Sequence, residues 1–206
     1  MSAVRVKICG LTRPDDVDAC VAAGADALGF VFTPRSRRCV EVSHAANLAG
    51  RVPAFVCRVG LFMDQSADAV HEVLQRVPLS LLQFHGNESA AFCEQFERPY
   101  IRAIPMTAGG GWRAVVEEHQ RAAGFLLDSH APGGAGGTGR TFDWDAIPHI
   151  EAPVVLAGGL TCENVASAVR RVRPWAVDVS SGVEDAPGIK NPEKIRKFIE
   201  EAKREN

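Results

Sequence analysis

Two side chains in this sequence sit where acid–base chemistry is usually done. The run Val4-Arg5-Val6-Lys7-Ile8-Cys9 alternates apolar and polar residues and stops at a thiol followed by Gly10. Alternation of that length reads as a strand with Val4, Val6 and Ile8 on one face and Arg5, Lys7 and Cys9 on the other. Asp128 closes a second, apolar run, Phe125-Leu126-Leu127. A thiolate can take a proton from carbon, and a carboxyl whose pKa is raised by burial can give one to oxygen. Lys7, two residues before Cys9 and on its face, is expected to favour the thiolate.

A second group of residues suits binding. Val155-Leu156-Ala157-Gly158-Gly159-Leu160-Thr161 reads as a strand, a glycine pair and a helix start. Val177-Asp178-Val179-Ser180-Ser181-Gly182 is another strand ending in small residues. Backbone N–H groups of such turns, with a helix N-terminus behind them, hold phosphate dianions. The basic stretch Arg35-Ser36-Arg37-Arg38 offers a guanidinium for two-pronged contact with a carboxylate, for which Arg38 is the candidate. Gln83 and His85 share a face at the end of one strand and are expected to meet a substrate. Lys7, Arg58, Gln83, Arg102 and Asp178 fall in or near mid-strand, opposite the more apolar face. Lys7 and Asp178 are expected to pair beneath Cys9, since buried charges need partners.

These residues must be positioned by a repeating scaffold. Strands are expected at 4–9, 27–32, 54–62, 80–85, 100–104, 124–128, 154–157 and 176–179. Helices are expected at about 14–23, from Ser43, and at 67–76, 88–96, 112–121 and 162–171, with a short one opening at Asp143 and the last at Asn191-Pro192. Thr12 reads as the N-cap of the first helix. Strands alternating with helices imply a parallel sheet with right-handed crossovers, and eight units close most simply into a (β/α)₈ TIM barrel. An open doubly wound sheet is the alternative. No linker or low-complexity segment divides residues 1–206, so one domain is expected. In a barrel the strand C-termini carry the chemistry, and Cys9, Arg38, His85, Asp128, Gly158-Gly159 and Ser180-Ser181-Gly182 all lie there. The glycine-rich loop from Ser129 to Thr141 is expected to close over a ligand.

Composition narrows the function classes. The 206 residues are 46% hydrophobic and 23% charged, with a formal net charge of -2. That balance gives no reason to expect a nucleic-acid or membrane-surface partner. No apolar run reaches membrane-spanning length, and Met1-Ser2-Ala3 leads straight into a strand, so a cytoplasmic protein is expected. The six cysteines are scattered without metal-ligand spacing, which argues against both a disulfide framework and a metal site.

Taken together, the motifs resemble the phosphoribosylanthranilate isomerase family over nearly the whole chain. The resemblance rests on Lys7-Ile8-Cys9-Gly10-Leu11-Thr12, Gly24-Ala25-Asp26-Ala27-Leu28-Gly29-Phe30-Val31-Phe32, Ser36-Arg37-Arg38, Arg58-Val59-Gly60-Leu61-Phe62 and Gln83-Phe84-His85-Gly86. It continues through Leu126-Leu127-Asp128-Ser129, Gly137-Thr138-Gly139-Arg140-Thr141-Phe142-Asp143-Trp144, Ala157-Gly158-Gly159-Leu160, Asn164-Val165 and Val177-Asp178-Val179-Ser180-Ser181-Gly182-Val183-Glu184. Departures are mild: Ala157 stands where the family often has serine, Phe84 where leucine is usual, and the triglycine before Trp112 is unfamiliar.

The resemblance implies a small-molecule phosphosugar substrate, a monomer or homodimer, and chemistry needing no cofactor or metal. It implies an Amadori rearrangement of N-(5-phosphoribosyl)anthranilate, with Asp128 as acid, Cys9 as base and Arg38 on the anthranilate carboxylate. Gly159 and Ser181 would lie in the phosphate loops. The related isomerase of histidine synthesis is the nearest alternative, but it is expected to carry aspartate at position 9 and a second phosphate loop, and residues 64–66 offer none. A non-catalytic phosphosugar-binding barrel is the alternative from another class.

Overall fold

In the computed structural model, which describes residues 3–106, 111–129, 143–147 and 149–204, eight parallel strands close into a barrel. The strands are β1 (Arg5–Cys9), β2 (Ala27–Val31), β3 (Cys57–Phe62), β4 (Leu81–Phe84), β5 (Tyr100–Pro105), β6 (Gly124–Asp128), β7 (Val154–Leu156) and β8 (Ala176–Val179). Each pairs with the next in sequence, and β8 pairs back onto β1. The helices are α1 (Pro14–Ala22), α2 (Val42–Gly50), α3 (Ala67–Arg76), α4 (Ala90–Glu94), α5 (Trp112–Glu118), α6 (Val165–Val172) and α7 (Pro192–Lys203), with a 3₁₀ turn at Trp144–Ala146. The glycine-rich segment 130–142, including the expected lid and His130, lies outside the described residues, as do Gly109 and Gly110 of the triglycine.

Strand alternation sorts the core into two layers. Val6 and Ile8, Leu28 and Phe30, Leu82 and Phe84, and Val177 and Val179 face outward and pack in one apolar cluster with Val17, Leu48, Val73 and Phe198 from the helices. Ile101, Ala103, Leu126, Val155, Ala157 and Ala176 fill one side of the lumen. The other side holds an ion pair. β1 and β8 run in a register that sets Lys7 opposite Asp178, and Lys7 Nζ donates to Asp178 Oδ1 at 2.8 Å. The pairing expected from the sequence is therefore present. Arg58 and Arg102 belong elsewhere: they register with Leu28 and Phe84, so they sit on the outer face. Arg102 clamps the turn after β4, donating to the carbonyls of Phe84 (2.9 Å) and Gly86 (2.6 Å).

Several boundaries move for local reasons. Thr12 does not cap α1; its hydroxyl donates to the Gly188 carbonyl, and Arg13 stands at the cap position. α4 starts at Ala90 rather than Glu88, because Glu88 turns back to accept from the N–H groups of Asp64 and Gly86 while Ser89 caps the helix. β3 starts at Cys57 rather than Ala54, after a turn closed by Val56 N–H on the Pro53 carbonyl. After β8 the chain makes a 3₁₀ turn (Ser181–Val183) and a small antiparallel hairpin, β9 (Glu184–Ala186) with β10 (Ile189–Lys190). Nothing in the alternation pattern announced that hairpin.

Candidate active site

The C-terminal strand ends surround a cavity of about 490 Å³. All eleven residues singled out from the sequence line it: Cys9, Arg38, Gln83, His85, Asp128, Gly158, Gly159, Asp178, Ser180, Ser181 and Gly182. Going round the ring from β6 to β1, only β7 and β8 intervene. The thiol and the carboxyl therefore flank the two small-residue turns on one arc of the wall.

Cys9 ends β1 and is buried, 6% exposed. Burial raises its thiol above the ordinary value; Lys7 and Lys190 pull it down and Asp178 pushes it up. The expected help from Lys7 exists, but desolvation outweighs it, so burial favours the thiol. Lys7 itself is held above its ordinary value: burial works against its charge, and the charge and hydrogen bond of Asp178, with Cys9 beside it, more than offset that.

Asp128 ends β6, where its carbonyl accepts the Met106 N–H at 2.7 Å and fixes the strand end. Its Oδ2 lies 3.4 Å from His85 Nε2, and His85 Nδ1 lies 3.1 Å from Gln83 Nε2. An amide nitrogen can only donate, so His85 Nδ1 accepts from Gln83 and Nε2 is the ring nitrogen that faces the Asp128 carboxyl. Gln83 and His85 thus back Asp128 from β4. Gln83 is buried, and among the described residues its Oε1 has no hydrogen-bond partner.

The three arginines of the loop after β2 separate into different roles. Arg35 pairs with Asp64 at 3.0 Å in an exposed position. Arg37 lines the cavity. Arg38 is turned in by a tight bend in which Ser36 Oγ accepts the Arg38 N–H. Its guanidinium grips Glu184 with two bonds, Nε to Oε1 at 2.8 Å and Nη2 to Oε2 at 2.6 Å.

The turns after β7 and β8 bring backbone close to the cavity. Gly158 has φ +81°, and a Cβ there would run into the backbone N and the Oγ of Ser129. Only glycine fits that turn without displacing the end of β6. Beyond it, Asn164 accepts the Thr161 N–H and donates to the Gly159 carbonyl at 2.9 Å, tying the turn to the start of α6. Ser180 Oγ faces Lys190 Nζ at 3.4 Å.

Sequence reasoning passed over Lys190 and assigned no role to Glu184. Lys190 is 2% exposed, and its Nζ donates to the carbonyls of Cys9 (2.6 Å) and Ser180 (3.1 Å) and to Glu184 Oε1 (2.8 Å). Their only signal was charge in a strand too short to show a pattern. Among the described residues, no group of three or more His, Cys, Asp or Glu is arranged to hold a metal ion.

Comparison with known proteins points one way. The family described as N-(5'-phosphoribosyl)anthranilate (PRA) isomerase matches residues 6–201. An N-(5'-phosphoribosyl)anthranilate isomerase of Chromohalobacter salexigens is 54% identical, over 97% of this chain and 94% of that protein. One from Pseudomonas fluorescens Pf-5 is 52% identical over 100% and 99%. A crystal structure of phosphoribosyl anthranilate isomerase in complex with reduced 1-(o-carboxyphenylamino)-1-deoxyribulose 5-phosphate superposes with a TM-score of 0.83 at 37% identity, covering 97% of this chain and 98% of that one. Monomers generated from the dimeric enzyme of Thermotoga maritima give 0.83 at 35% identity, covering 97% and 98%.

Proposed function

The chain belongs to the N-(5'-phosphoribosyl)anthranilate isomerase family, and we propose that Cys9 and Asp128 are the base and acid of that reaction here. The activity is the isomerisation of N-(5'-phosphoribosyl)anthranilate in tryptophan biosynthesis, an Amadori rearrangement to 1-(2-carboxyphenylamino)-1-deoxyribulose 5-phosphate. The observation that carries the residue assignment is that the thiol and the carboxyl line one cavity, with the two small-residue turns after β7 and β8 between them.

The chemistry follows from these positions. Asp128, as the carboxylic acid, protonates the furanose ring oxygen, and the anilino nitrogen pushes its lone pair toward C1, so the C1–O bond breaks to an iminium. The positive nitrogen acidifies the C2 proton, which the Cys9 thiolate removes to give an enolamine. Return of that proton to C1 and loss of the enol proton give the ketone, and a proton from the medium reloads Asp128. Atoms and charge balance, and the substrate nitrogen is the electron sink. Gly158, Gly159, Ser181 and Gly182 cradle the phosphate with backbone N–H groups. Ser180 and the Lys7–Asp178 pair form the floor under the sugar. Arg38 receives the anthranilate carboxylate, and His85, backed by Gln83, holds Asp128 toward the ring oxygen.

One domain and one copy of the chain suffice, whether the protein is a monomer or a homodimer, since every group named lines a single cavity except Lys7, which reaches it through Asp178. A charged phosphosugar substrate also fits a cytoplasmic setting. Among the described residues, no helix is long and apolar enough to cross a membrane. The test is turnover followed by the fluorescence of the anthranilate phosphoriboside. Cys9→Ser and Asp128→Asn should each lose at least about two orders of magnitude in kcat, the scale for removing a positioned acid or base. Near-normal turnover in either variant removes that residue from the mechanism.

A further inference from the structure

The β9–β10 hairpin carries two buried charges into the cup, and neither touches the reacting atoms in the scheme above. Glu184 lies between two cations. Its Oε1 accepts from Arg38 Nε (2.8 Å), Lys190 Nζ (2.8 Å) and the Gly188 N–H (3.2 Å), and its Oε2 accepts from Arg38 Nη2 (2.6 Å). Lys190 has two carbonyls and one carboxylate within bonding distance. With Ser180 Oγ at 3.4 Å as a fourth, longer contact, these acceptors take up all three N–H bonds of the ammonium. With Arg38 and Lys190 positive and Glu184 negative, the unit carries one net positive charge.

Arg38 is gripped on one side only. A guanidinium presents two edges that fit a carboxylate, one formed by Nε and Nη2 and one by Nη1 and Nη2. Glu184 occupies the first. Nη1 has no hydrogen-bond partner among the described residues, and Arg38 lines the cavity. The aliphatic stem is fixed as well: it lies against Gly10, where a Cβ would collide with Arg38 Cδ. A residue held by its stem and one edge can offer only the other edge.

We propose that Glu184 is a positioning residue for substrate selection, holding the Nε edge of Arg38 so that the Nη1 edge meets the carboxylate on the aromatic ring, with Lys190 as the counter-charge that leaves the unit one positive charge to spend on it. This rests on the assignment of Arg38 to the substrate carboxylate. It makes Glu184 a determinant of which aryl amine is accepted, without contact to the substrate.

Binding of two ligands separates this role from a structural one: the reduced carboxyphenylamino deoxyribulose 5-phosphate and its phenylamino counterpart lacking the carboxylate, each titrated by calorimetry. The wild-type protein should prefer the carboxylated ligand by at least about tenfold, the scale of a charge-assisted bidentate pair. The double variant Glu184→Gln/Lys190→Met keeps the net charge and approximate volume but loses the anchoring carboxylate. It should bind the phenylamino ligand within about twofold of wild type while its preference drops below about threefold. An unchanged preference, or an equal loss for both ligands, overturns the proposal. Arg38→Met is the reference: if it keeps the preference, the carboxylate site is elsewhere and the parent assignment fails instead. Should the double variant not fold, Glu184→Asp, too short to reach both nitrogens, takes its place with the same two outcomes.

Discussion

A lysine two residues before a cysteine suggests an ionised thiol, yet at Cys9 burial wins. The cation was legible because alternation puts Lys7 and Cys9 on one face; the desolvation was not, because it comes from the closed lumen around them. The consequence is testable. Lys7 lowers the Cys9 thiol, so removing it must raise that thiol further, and the loss of base form is then felt at higher pH. Lys7→Met alone also strands Asp178, at a cost of about 3–5 kcal/mol for an unpaired buried charge. Lys7→Met/Asp178→Asn avoids that penalty. Because the pull of Lys7 exceeds the push of Asp178, the double variant should still move the alkaline rise of kcat/KM, and of inactivation by iodoacetamide, to higher pH. A profile superposing on wild type would show that Lys7 has no part in activating the thiol. Arg58 and Arg102 mark the limit of residue-level reading: both looked like lumen charges, and one step of register places them outside.

At the scale of elements, the turn after β7 is the most constrained part of the wall. Gly158→Ala would need a left-handed backbone and would push Ser129 off the end of β6, where the next residue inward is Asp128. Such strain is worth about 1–3 kcal/mol. The variant should therefore melt earlier and show KM raised by roughly tenfold or more; wild-type melting and KM together would mean that the turn is not held by this contact. The regular elements were well marked. α3 begins and ends at the expected residues, as do β6 and β8, because α3 has clean helical periodicity behind its Ser66 cap and the two strands are short buried runs that stop at Asp128 and before Ser180. The hairpin was hidden for the opposite reason. Strands of three and two residues are below the length at which alternation means anything, and the side chains of Glu184 and Lys190 act through distant partners: Cys9 on β1, Ser180 just after β8 and Arg38 in the loop after β2. The cap expected at Thr12 was lost to the same hairpin, whose Gly188 carbonyl takes the hydroxyl.

For the whole molecule, closure of the barrel is what turns a list of strand ends into a site. Open the sheet between β8 and β1, and Lys7 loses Asp178 while Cys9 leaves the two small-residue turns. Closed, the ring order sets Cys9, the two small-residue turns and Asp128 round one arc of the wall, with Arg38 on the β2 side. A crystal structure of this protein with the reduced carboxyphenylamino deoxyribulose 5-phosphate bound tests that arrangement most directly. C2 of the ligand should lie within about 3.5 Å of Cys9 Sγ and the former ring oxygen within about 3.2 Å of an Asp128 carboxyl oxygen, with the phosphate between the β7 and β8 turns. A ligand whose phosphate lies there but whose C2 faces away from the sulfur, or one bound outside this cavity, would contradict it.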